Sequence, residues 1–192
     1  MDVTEAYRRS LAYFTDRVRD VGPRQWDGPT PCADWDVRGL VNHVVYETRW
    51  AVPLFRGATI ADVGDRFEGD LLGTDPVAAA TEAAAEAEEA VAEPGAMERT
   101  VHLSFGPTPA AEYARQLIAE HVVHGWDLAA AVGADRTVDP DLVRECAAWW
   151  AGMEDAYRQG GAVGPRTEVP GDASEHDRLL AAFGRDPNWR AS

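Results

Sequence analysis

Residues 109–132, "PAAEYARQLIAEHVVHGWDLAAAV", limit more than any other stretch how this chain folds. Projected at about 100° per residue, Tyr113, Leu117, Glu120, His124 and Leu128 share one stripe, with Ile118, Val122 and Ala129 roughly opposite. A helix apolar nearly all round lies at the centre of a core. Glu120 and His124 therefore point inward, as an i, i+4 pair on one face. A buried carboxylate costs several kcal/mol (about that order) unless something compensates it. Two solutions are open on these residues alone: a divalent cation shared with a neutral imidazole, or a metal-free polar pair, with or without an Arg partner. His121 sits about 60° off the stripe and is a substitute for Glu120 as a ligand, at i, i+3 to His124. The order "EHVVH" differs from the zincin HExxH and gives no support to a metalloprotease.

A central helix needs others around it, and the rest of the chain supplies them. Helical spacing of Ala6, Leu11, Phe14 and Val18 predicts a helix from about Thr4 to Val21, ended by Gly22-Pro23. Asp36 is an N-cap for "VRGLVNHVVYETRWA", which Pro53 ends or kinks. Asp75-Pro76 opens a third, Ala/Glu-rich helix closed at Pro94-Gly95. A fifth follows Asp139-Pro140. Residues 56–74 read as a long irregular segment, either a lid or an acidic surface loop. "RTVHLSF" reads as a short strand or extended linker, and the tail as loop with one helical turn near residues 178–183. The expected fold is all-α: a four-helix bundle over residues 1–165, with an additional C-terminal helix, and a tail over 166–192 packing on it.

Metal sites in bundles are built from several inward-facing helices. The second helix offers His43, with Glu47 one turn on, flanking the stripe of Val37, Leu40, Val41 and Val44. Two nitrogens and one oxygen leave positions open, which marks a reactive rather than a structural metal. His102 and His176 fall in polar irregular segments and read as surface residues. Arg49 and Arg115 read as partners of surface acids, with anchoring of substrate carboxylates as the alternative.

Net charge is −15, from 33 acidic against 18 basic residues. That field argues against nucleic acid and anionic membranes as partners. No apolar run approaches the roughly 18–20 residues of a membrane span, and "MDVTEAYRRSLAYF" is not a secretory signal, so a cytoplasmic location is expected. Cys32 and Cys146 form no CxxC and read as small hydrophobes. Trp149-Trp150 suggests a wide apolar face and points toward a homodimer.

Four stretches, "PTPCADWDVRGLVNHVV" (29–45), "DVGDRFEGDLLGTDPVAAA" (62–80), "VHGWDLAAAVG" (123–133) and "DRLLAAFGRDPNW" (177–189), resemble an actinobacterial metal-binding family of the DinB-like superfamily. It is related to the N-terminal domain of mycothiol-dependent maleylpyruvate isomerase. All 18 basic residues are arginine, which fits the GC-rich coding of such bacteria. The resemblance implies a DinB-like four-helix bundle, with His43, Glu120 and His124 as ligands of a divalent metal, zinc or alternatively nickel. It makes His121 a neighbour rather than a ligand, has Trp126 pack and has Asp127 cap or hydrogen-bond near the site. It also implies mycothiol as a cofactor whose thiol the metal would activate toward a small electrophilic substrate, in a transferase or isomerase. The isomerase carries a further C-terminal domain where this chain has a short tail. A non-catalytic binding or regulatory module, or a thiol-independent Lewis-acid enzyme for tailoring or detoxification, are the alternatives.

Overall fold

The computed structural model describes residues 1–161 and 163–191. Four long helices, α1 (Val3–Arg19), α2 (Val37–Phe55), α4 (Pro76–Ala92) and α5 (Ala110–Val132), make the bundle, with α3 (Ile60–Val63) between α2 and α4. Helix α5 packs on α1 and α2, and α4 closes the ring against the same two. Helices α6 (Pro140–Gln159) and α7 (Glu175–Ala182) are added outside it. The helix ends follow the expected chemistry. Asp2, Asp36, Asp75 and Asp139 accept backbone N–H groups at their N-caps, and Gly133 takes φ +74° to end α5.

Several boundaries differ from the sequence reading. Pro53 does not end α2, which runs on to Phe55. Losing one donor near the last turn leaves enough of the helix ladder intact. "RTVHLSF" is one arm of an antiparallel hairpin, β1 (Thr100–Leu103) with β2 (Gly106–Pro109), so Gly106-Pro107 begins the return strand. The tail's single turn is an eight-residue helix, capped by Ser174 on the N–H of Asp177.

Residues 56–74 are strapped to α2. Asn42 donates to the carbonyl of Gly69 and accepts from the N–H of Leu71, Arg38 pairs with Asp70 at 2.8 Å, and Val63 and Leu72 are buried. On α6, Trp150 is buried and stacks on Phe183 just beyond α7, with centroids 3.9 Å apart, while Trp149 donates its indole N–H to Glu112. Trp150 is thus covered within the chain, while Trp149 is only partly buried. No helix among the described residues is long and apolar enough to cross a membrane.

The α1–α5 contact depends on Gly125. A Cβ built there would lie 2.8 Å from Cδ1 of Tyr13 and closer still to Cε1. Gly125→Ala gains about 1 kcal/mol of helix propensity. It must also displace a partly buried ring, at a cost of about 1–3 kcal/mol. Urea denaturation is expected to show a net loss of stability in this variant.

Candidate metal centre

Helix α5 carries four polar side chains in eight residues, Glu120, His121, His124 and Asp127, and the bundle sends them to different places. His43 comes from α2, where it faces α5. One atom each of His43, Glu120 and His124 lies within 4.8 Å of the others, the described grouping with metal-site spacing. Glu120 Oε2 is 3.0 Å from His124 Nε2 and 3.5 Å from His43 Nε2.

The hydrogen bonding of this trio is incomplete. Glu120 Oε2 is buried, yet neither imidazole meets it in hydrogen-bond geometry. On the far side of its ring, His124 Nδ1 lies 3.0 Å from Asp127 Oδ2. When Nδ1–H donates to that carboxylate, Nε2 of the neutral ring presents a lone pair to the lone pairs of Glu120. Only a shared positive charge, a proton or a cation, relieves that opposition. Two neutral imidazole nitrogens and a carboxylate oxygen suit a divalent cation with positions left for other ligands. The Glu120 side chain is 40% exposed, whereas that of His124 is 9% exposed, so the cluster opens on the Glu120 side.

The electrostatics agree. Burial opposes ionisation of Glu120, but the His124 and His43 imidazoles outweigh it and hold the carboxyl well below its usual range. Burial likewise opposes protonation of His124, while Asp127 and Glu120 together raise its pKa to about 9. Asp127 is fully buried, and Arg185 grips it through Nε at 3.0 Å and Nη2 at 2.8 Å. Trp35 stacks on the His43 ring at 4.3 Å and meets His124 edge-on.

The remaining sequence candidates lie elsewhere. His121 is completely buried on the α1 side, with Nδ1 3.0 Å from Ser10 Oγ and Nε2 3.4 Å from Thr48 Oγ1. Each hydroxyl also lies within hydrogen-bond distance of a backbone carbonyl, Ser10 of Tyr7 and Thr48 of Val44. Burial pushes the His121 pKa down to about 3. The residue lies in the core, outside the grouping of His43, Glu120 and His124. Glu47 stands outside the trio, its carboxyl pushed up first by burial and then by the charge of Glu120. Arg49 faces Glu82 and Glu86 on α4, and Arg115 faces Glu112. His102 is exposed on β1, but His176 is half-buried on α7 with an unpartnered Nε2. Both thiols are free, and burial raises Cys146 to about 12. Trp35 and Arg185 lie in stretches that carry the family resemblance, but the sequence reading gave neither a role, although a buried Asp127 requires a cation somewhere.

Residues 7–129 match the family described as the mycothiol maleylpyruvate isomerase N-terminal domain. Uncharacterized proteins from two strains of Mycobacterium tuberculosis are each 32% identical over 191 residues, covering 96% of this chain and 98% of theirs. Among solved structures, a histidine-to-alanine mutant of the mycothiol-dependent maleylpyruvate isomerase aligns with a TM-score of 0.63 at 16% identity. That alignment covers 85% of this chain and 72% of the other, and at such identity the likeness is one of fold.

His121 and His124 give the metal-free protein opposite pH slopes. Below the ordinary value of 6.5, His121 takes up a proton only in the unfolded chain, so stability falls toward acid. The stabilisation from protonated His124 is complete below 6.5 and is lost as pH rises through about 9. Each group contributes a slope of at most about 1.4 kcal/mol per pH unit. His121→Leu is expected to flatten the limb between about pH 6.5 and 5 in denaturation measurements at stepped pH, with no change in metal content.

Proposed function

This chain belongs to the family of the mycothiol maleylpyruvate isomerase N-terminal domain, and we propose that it is a divalent-metal enzyme that presents a thiol cofactor to a small electrophile. His43, Glu120 and His124 are the proposed ligands. The observation that carries this reading is the buried Glu120 Oε2, set between two imidazole nitrogens with no hydrogen bond of its own. A divalent cation held by these three side chains would lower the pKa of a bound thiol and would polarise a carbonyl as a Lewis acid. Zinc suits the donor set best, with nickel as the alternative.

The chain's own residues set the surroundings. Asp127 orients the His124 ring, and Trp35 lies flat against His43, limiting its rotation. The partly exposed side of Glu120 leaves an approach for a thiol from solvent. The cofactor of the structural neighbour, mycothiol, is the first thiol to test, and a transferase or isomerase acting on a small electrophile is the reaction class. Both cysteines are poor substitutes for an added thiol, since burial raises the pKa of each.

Plasma mass spectrometry of the purified protein is expected to find close to one zinc or nickel per chain. His43→Ala, Glu120→Ala and His124→Ala should each lose it. Wild type that stays metal-free after reconstitution would sink the reading. Mycothiol should bind saturably to the loaded protein and not to the Glu120→Ala variant.

The raised pKa of His124 adds a pH dependence. Below about pH 9 the metal must displace the His124 proton. Affinity should climb by about tenfold per pH unit up to that value and then level off. Calorimetry in buffers of different ionisation enthalpy should detect the released proton.

A further inference from the structure

We propose that Arg185 is a positioning residue of the metal centre, acting on His124 through Asp127. The inference rests on the ligand assignment above and extends the centre beyond the family match, which ends at residue 129.

Three observations converge on it. Asp127 is completely buried, and the side chains bonded to it are those of His124 and Arg185. One carboxylate oxygen, Oδ2, accepts from both, at 3.0 Å from His124 Nδ1 and 2.8 Å from Arg185 Nη2, while Arg185 Nε also reaches Oδ1 at 3.0 Å. The forked guanidinium thereby sets the plane of the carboxylate, and the carboxylate sets the direction of the Nδ1–H. With Nδ1 committed as donor, Nε2 is the nitrogen left to face Glu120 and His43.

Arg185 is itself held in place. Its Nη1 donates to the carbonyl of Phe183, and its backbone N–H donates to that of Leu180. Gly184, at φ +76°, turns the chain inward just before it, where a Cβ would lie 3.1 Å from the carbonyl oxygen of Pro165. Leu180 is buried against Trp126 and Ala130, on either side of Asp127 in α5. Docking of α7 thus delivers the arginine to the back of the site.

The test uses the full chain, with zinc affinity measured by chelator competition, the cobalt(II) absorption spectrum, and thermal melting of the metal-free form. Arg185→Ala and Asp127→Asn should each weaken zinc binding roughly 10–100-fold and alter the cobalt spectrum. Because both act on one imidazole, the double variant should bind no more weakly than the weaker single. Arg185→Lys, which keeps the charge and loses the fork, should recover only part of the affinity. Should Arg185→Ala fail to fold, Arg185→Lys and Arg185→Gln decide the matter by the same two readouts.

Zinc affinity within twofold of wild type in the folded Arg185 variants, with only a lower melting temperature, would make the arginine purely structural and overturn the inference. Losses that multiply in the double variant would do the same. Loss of zinc in His124→Ala but not in the Arg185 variants removes this inference alone. Wild type without metal removes the ligand assignment as well.

Discussion

Asp127 is a carboxylate with no solvent exposure, in the C-terminal third of the heavily buried helix α5. Left unpaired, it would cost several kcal/mol, of the order that decides whether a domain folds. Its two partners come from opposite directions: His124 from one turn earlier on α5, and Arg185 from the segment after α7. Much of the architecture follows from satisfying that one group. Helix α7 must dock, its C-terminal glycine must turn, and the His124 ring must stand with Nε2 toward α2.

The same helix separates two histidines of opposite character. His121 and His124 are three residues apart, yet one has its pKa driven down to about 3 and the other raised to about 9. Neither value comes from the imidazole itself. Hydroxyls of Ser10 and Thr48, which carry no charge, surround the first, whereas carboxylates flank the second on both ring nitrogens. In a low-dielectric interior the sign of the neighbouring charge decides whether burial is opposed. Position rather than charge separates their surroundings further: His124 Nε2 faces Glu120, whereas both ring nitrogens of His121 face hydroxyls.

Helix α5 can carry this load because its other faces are well packed. Gly125 admits the Tyr13 ring, which brings α1 close, and that approach supplies Ser10 to His121. Trp126 and Ala130 receive Leu180 of α7. Opposite them, α2 contributes His43, steadied by Trp35 from the loop before it. The site thus draws on α2, α5, the loop that precedes α2 and the tail, which reach one point only in the folded chain.

The sequence by itself determined the helical bundle, since period-3.6 patterning and the Asp, Pro and Gly punctuation at helix ends are local properties. It also located Glu120 and His124 on one inward stripe, because i, i+4 neighbours share a face in any helix. His43 was legible as a flank histidine, and its joining to the other two came from motif resemblance. Residues far apart along the chain were not legible. Arg185 lies 58 residues beyond the carboxylate it grips, and no periodicity links the two. The projection offered His121 as a substitute for Glu120 because it gives angles without saying what each face meets. Which face meets α1 and which meets α2 is settled by packing, where a missing Cβ at Gly125 and a buried charge at Asp127 leave few arrangements of comparable energy.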